Sequence, residues 1–253
     1  MTDPAVLAAL LAMAAAPLLI IRWPWRWSVG FWVVLLLATA AAVLTADPAP
    51  SLKPTDLLRV VGFGVPAIVL SLEPLWKRHL PRATPVLATA LVGVILIGGI
   101  GTRLKGGSPA GAALGVLLFV ATGGPRNFRW SDEAPSPAAT LDLGWAWIIG
   151  YSAWVLTIGG DYEGANLLGR KAFLLTTVAA LALWHGQQHW LRLRAYMATV
   201  QFCGLLVWPT VFVEGMASPA LDFPRLPTVL TGFSAVMLLP ALWRNARRWL
   251  PGG

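Results

Sequence analysis

The sequence predicts an all-α fold, a polytopic transmembrane bundle of about nine helices with its N-terminus outside and its C-terminus cytoplasmic. Three observations predict it. Nine stretches of about 13 to 20 residues carry no Asp, Glu, Lys or Arg. The chain is 57% hydrophobic and only 12% charged, whereas soluble domains carry about 25% charged residues. Lys and Arg occur in ones, twos and threes between the apolar runs rather than in one patch. In hydrocarbon a backbone must satisfy its own N–H and C=O groups, so such runs form helices or a closed barrel. Their lengths suit helices, since about 20 residues span the hydrocarbon layer.

The nine predicted helices are Ala5 to Ile21, Ser28 to Ala46, Leu57 to Leu72, Pro85 to Gly101, Pro109 to Gly123, Leu141 to Ile158, Ala172 to Trp190, Ala195 to Val213 and Thr228 to Trp243. The third and fifth are short, and a count of eight holds if one is re-entrant. Asp47-Pro48-Ala49-Pro50-Ser51 and Glu133-Ala134-Pro135-Ser136-Pro137 are turn-rich breaks. Pro85 and Pro109 open helices, where a missing N–H costs little. Pro17, Pro66, Pro209 and Pro240 each kink a helix or mark its end. Gly111 and Gly115 form a small-xxx-small pattern that allows close approach of a neighbour.

Orientation follows from charge. With the N-terminus outside, the inside segments carry 12 of the 19 Lys and Arg residues, including Arg22, Arg26, Lys77, Arg192, Arg194 and Arg247. Cytoplasmic loops are enriched in positive charge. Asp3 precedes the first run, so the N-terminus does not read as a cleavable secretory signal. Trp23, Trp25, Trp27, Trp76, Trp130, Trp190, Trp243 and Trp249 lie near helix ends and read as interfacial anchors. Trp145, Trp147, Trp154, Trp184 and Trp208 lie deeper. There is no soluble domain and no repeat, so residues 1–253 read as one bundle.

The net charge of +8 does not indicate nucleic acid, because the positive residues are dispersed. Arg outnumbers Lys 15 to 4 in an Ala-, Leu-, Pro- and Gly-rich chain, a composition that points to a GC-rich bacterial gene and hence to the bacterial inner membrane. Cys203 is the single cysteine; it reads as a small buried hydrophobe, and no disulfide or cysteine-based metal site is available. A retinal-linked pump needs a lysine inside a helix, and Lys53, Lys77, Lys105 and Lys171 all fall in loops or at helix ends. No Gly-x-x-x-x-Gly-Lys-Ser/Thr loop or Gly-x-Ser-x-Gly elbow occurs. No cofactor is expected.

Several constellations can carry chemistry. Trp147, Tyr151 and Trp154 fall at i, i+4 and i+7 and share one helix face. They form either an aromatic wall for a substrate or a core face with one satisfied hydroxyl. Asp161 and Glu163, with Tyr162 and Asn166, lie in the loop that follows. This loop either binds a cation or basic solute at a cavity mouth or is simply solvated. Glu214 ends the eighth helix, as a water-boundary marker or a buried proton relay. His185 and His189, at i and i+4, can face one ligand together, and zinc or haem is the sharp reading against a polar helix end. Gln201 lies two turns into the eighth helix as a candidate interhelical hydrogen bond.

Three segments carry a resemblance. Gly124-Pro125-Arg126-Asn127, Trp145-Ala146-Trp147-Ile148-Ile149-Gly150-Tyr151-Ser152-Ala153-Trp154 and Trp190-Leu191-Arg192-Leu193-Arg194-Ala195-Tyr196 are similar to the marker segments of an uncharacterised bacterial multi-pass membrane protein family. The resemblance implies a multi-pass helical fold and no particular activity. The expected partners are the lipid bilayer and a small-molecule solute, with a homo-oligomer left open. Three functions stand: a small-solute transporter lined by Trp147, Tyr151, Trp154, Asp161, Glu163 and Glu214; an enzyme on a lipid-like substrate using His185, His189 or a carboxylate; and a non-catalytic assembly or sensor protein. A transporter leads, because polar groups at membrane depth usually mark pathways.

Overall fold

The apolar runs fold as helices. A computed structural model describes residues 3–45, 54–131, 138–141, 143–158, 161–162, 165–166, 168–217 and 225–249. Among them are ten α-helices: α1 (Pro4–Ile20), α2 (Trp25–Thr45), α3 (Pro54–Ser71), α4 (Glu73–His79), α5 (Thr84–Lys105), α6 (Pro109–Val120), α7 (Gly144–Leu156), α8 (Leu168–His185), α9 (Trp190–Val207) and α10 (Leu226–Trp249). Each of the nine predicted helices has a counterpart, and α4 is the addition. Two short antiparallel hairpins complete the described fold. β1 (Phe128–Ser131) pairs with β2 (Ala138–Leu141), and β3 (Asp161–Tyr162) pairs with β4 (Ala165–Asn166). The predicted breaks at 47–51 and 133–137 lie outside the described residues.

Local chemistry sets the boundaries. Asp3 caps α1 by accepting the Ala5 N–H at 2.8 Å, with Pro4 opening the helix. Glu73 and Pro74 open α4, and Lys77, Arg78 and His79 close it, the charge order that a helix dipole favours. Pro17, Pro66 and Pro240 are inside helices, whereas α9 ends just before Pro209. Beyond it Thr210–Glu214 forms a π-helical turn.

Helix α9 is the central element. It packs against α1, α2, α3 and α8, and every residue from Trp190 to Thr199 is buried. A helix buried all round belongs in the core. The remaining helices build outward, α7 against α10 and α6, and α5 against α6 and α3. Cys203 on this helix is buried.

The outer surface is oily. Val34, Leu37 and Leu44 on α2, Ile97 on α5, and Val229, Val236 and Leu239 on α10 are exposed. These three helices, over Trp25–Thr45, Thr84–Lys105 and Leu226–Arg247, are long and apolar enough to cross a membrane. Helices α3 and α4 qualify jointly as one span broken by a 58° bend. Helices α1 and α6 are shorter apolar helices.

Several predicted boundaries are corrected: Leu141, predicted to open the sixth helix, belongs to β2, and Val213, predicted to end the eighth, lies in the π-helical turn beyond α9. The eighth helix starts at Trp190 rather than Ala195, so Arg192 and Arg194 are buried helical residues and not loop charges. The seventh helix stops at His185 rather than Trp190. Gly186, at φ +100°, turns the chain out of the helix, a region open to glycine but strained for other residues.

Candidate functional site

The break between α3 and α4 brings polar groups to one end of the bundle. Helix α3 ends at Ser71, Leu72 turns, and Glu73 opens α4. The bend directs Glu73 at the first turn of α9, where the Arg192 guanidinium donates to its carboxylate. The Glu73 side chain is 0% exposed and that of Arg192 8%, so this is an ion pair removed from water. Such a pair persists only with close geometry, because desolvation of two charges costs several kcal/mol per ion, on the order of the attraction gained.

One turn along α9, Tyr196 sits beside it. The Tyr196 hydroxyl and Ser71 Oγ are 2.8 Å apart, and Ser71 Oγ also lies 2.8 Å from the Ala67 carbonyl. A hydroxyl has one proton to donate. With the Ser71 proton directed at Ala67, Tyr196 is the donor to Ser71. The Tyr196 ring packs against Trp32 of α2, centroids 4.8 Å apart. Ser28 of α2 donates to the Ile20 carbonyl at 3.1 Å. A small cleft opens here, lined by Ser28, Ser71, Arg192 and Tyr196 and walled by Ile20 and Trp25. Its free space for water-sized spheres is about 10 Å³, the scale of one water molecule.

The opposite face of α9 meets the predicted aromatic face of α7. Trp147 and Tyr151 stack at 5.3 Å and 8°, and Trp190 meets both edge-on at 5.2 and 4.9 Å. The Arg194 guanidinium lies 5.9 Å from the Tyr151 ring centre. Trp190 and Arg194 are one i, i+4 pair; Arg192 and Tyr196 are another on the far side of the helix. One seven-residue segment, Trp190-Leu191-Arg192-Leu193-Arg194-Ala195-Tyr196, thereby serves both clusters.

Trp147, Tyr151 and Trp154 are all buried. The Trp147 indole N–H donates to the Leu118 carbonyl at 2.8 Å, and that of Trp154 to the Gly111 carbonyl at 2.7 Å. Both acceptors are on α6. The Trp154 ring enters a slot bounded by Gly99 of α5 and Gly115 of α6, where added Cβ atoms would fall 2.4 and 2.7 Å from it. Gly115 of the small-residue pattern thus admits the indole, while Gly111 faces Ser108 and Arg103 and lends only its carbonyl to the Trp154 N–H.

The other predicted residues lie elsewhere. Glu214 is exposed in the π-helical turn at the far end of α9. Asp161 belongs to β3, but its side chain, like Glu163 altogether, lies outside the described residues. His185 and His189 fall on either side of the Gly186 break, so they do not share a helical face; the ring of His185 stacks beside Trp184. Among the described residues no three His, Cys, Asp or Glu side chains converge on a metal position. Gln201 is buried in α9. Trp190, predicted as an interfacial anchor, is a core residue, while Trp184 and Trp208, predicted to lie deep, are exposed.

Sequence reasoning passed over Glu73, Ser71 and Trp32. The signal for Glu73 was available: a lone carboxylate followed by proline between two apolar segments, with a Tyr four residues beyond an Arg elsewhere in the chain. Comparisons with protein-family models, with curated proteins and with solved structures return no match.

Proposed function

We propose that the chain is a multi-pass protein of the bacterial inner membrane, with nine spanning segments, the N-terminus outside and the C-terminus cytoplasmic, acting as a permease for a small solute. The observation that carries this is the buried Glu73–Arg192 pair with Tyr196 and Ser71 at one end of an apolar bundle. Ionisable groups in such a setting are costly and persist where a polar species is handled. In this reading the cleft at Ser28 and Ser71 is the cytoplasmic mouth. Asp161, Glu163 and Glu214 mark the opposite mouth, and Trp147, Tyr151 and Trp154 wall the region between. The outward apolar faces of α2, α5 and α10 support embedding in lipid.

Uptake by proteoliposomes across a panel of small solutes tests the reading. Wild type is expected to take up at least one, and Glu73→Gln and Tyr196→Phe to lose it while keeping the wild-type elution profile. Unchanged uptake in both variants removes the cluster from the path.

A second reading, a non-catalytic assembly or sensor protein, is favoured by the engaged indole N–H groups of Trp147 and Trp154. Those bonds make the aromatic face part of the packing. Proteoliposomes without uptake of any solute, together with a stable complex recovered by crosslinking in membranes, would favour it.

A further inference from the structure

Another buried arginine, Arg103, sits at the other end of the bundle, with no counter-charge among the described residues. Arg103 lies in the last turn of α5 and is 9% exposed. Its Nε and Nη2 atoms are buried and have no hydrogen-bond partner. A cation in the last turn of a helix ordinarily serves that helix's terminal carbonyls. Here those carbonyls are occupied by backbone: Gly106 N–H donates to Thr102 O at 3.0 Å, Ser108 N–H to Arg103 O at 2.9 Å, and Gly107 N–H to Leu104 O at 3.2 Å.

The Arg103 side chain instead crosses the first turn of α6. Its Nε lies 3.0 Å, and Ser108 Oγ 2.8 Å, from the point where a Cβ on Gly111 would stand. Ser108 is the N-cap of this 12-residue helix, and its side chain makes no capping bond. Ala110 and Gly111 follow Pro109, and their N–H groups donate to no acceptor among the described residues. Guanidinium, hydroxyl and two amides thus gather at a helix N-terminus with no acceptor between them. A helix start favours negative charge, and a guanidinium fork matches an oxyanion. An uncompensated buried cation calls for a counter-ion.

We infer that the α5–α6 turn binds a phosphate-type oxyanion, with Arg103 as its principal ligand and Ser108 and the first amides of α6 completing the shell. The source is either a phospholipid headgroup or a free phosphate.

The test uses full-length protein in maltoside detergent, stripped of lipid, and reads the melting temperature. One arm titrates inorganic phosphate against sodium chloride at matched ionic strength. The other adds phosphatidylglycerol against a galactolipid of equal chain length and no phosphate. The expected result is saturable stabilisation in one arm, with the midpoint at least ten-fold higher in Arg103→Gln and intermediate in Ser108→Ala. Saturation by inorganic phosphate identifies a free anion; a response to phosphatidylglycerol alone identifies a headgroup. If Arg103→Gln does not fold, Arg103→Lys, which keeps the charge but loses the fork, takes its place with a weakened midpoint expected. No stabilisation of wild type in either arm, or equal midpoints in wild type and the arginine variants, overturns the inference.

Discussion

Arg192 and Glu73 are joined across 119 residues of chain and are buried together where α9 begins and α4 begins. Removing one partner leaves the other charged in an apolar setting. Glu73→Leu and Arg192→Met are each expected to destabilise by about 3–5 kcal/mol, while the two together are expected to cost far less than either single change. Thermal unfolding of the four proteins in one detergent checks this. Additive losses would show that the pair is not coupled.

Tyr196 donates to Ser71, and both groups are buried. Tyr196→Phe removes the donor without changing the ring that packs on Trp32. A loss of about 0.5–1.5 kcal/mol is expected, with Ser71→Ala adding little on top of it. Unfolding curves of the two single variants and the double variant measure the coupling.

The slot for Trp154 needs hydrogen atoms at two glycine positions. An added Cβ at Gly115 would lie 2.5 Å from Ile100 and 2.7 Å from the indole. Gly115→Ala and Gly99→Ala are each expected to cost about 1–3 kcal/mol by overpacking. Gly30 on α2 meets nothing within 4 Å, so Gly30→Ala should be neutral or stabilising by up to about 1 kcal/mol. Opposite signs at these positions, read as melting shifts, are the outcome sought.

Gly186 gives a test of where α8 stops. In the observed turn, at φ +100°, alanine is strained and meets the Gln188 amide at 2.4 Å, so Gly186→Ala is expected to cost about 1–3 kcal/mol. Were α8 continuous to Trp190, the same change would stabilise by about 1 kcal/mol. The sign of the melting shift decides between them.

The helices are legible because they are written as long uncharged apolar runs; each predicted run holds a helix, and three of these helices are long and apolar enough to cross a membrane. The centre of the molecule is not legible, for a specific reason. Charge reads as a sign of water, which places Arg192 and Arg194 in a loop. Their neighbours resolve the matter: Trp190 with Arg194 and Arg192 with Tyr196 fall at helical spacing on two faces, a pattern no solvated loop requires. Glu73 escaped for the related reason that a carboxylate at the end of an apolar run reads as a boundary. Only the 58° break between α3 and α4 turns it inward, and a bend of that kind is a tertiary fact. Gly186 was one glycine among 25, and nothing local separates a left-handed turn from a tolerated helical glycine. The face of Trp147, Tyr151 and Trp154 is buried in the bundle, but the partner expected for the Tyr151 hydroxyl is not found among the described residues, and the α6 carbonyls that accept the two indole N–H groups are not readable from spacing.

Cys203 is the sole thiol and is 3% exposed. A maleimide dye or spin label offered to the native protein therefore has no reactive background to compete with. Single engineered cysteines at chosen surface positions would report their own surroundings without first replacing a native residue, and the sidedness of each connecting segment can be mapped one label at a time.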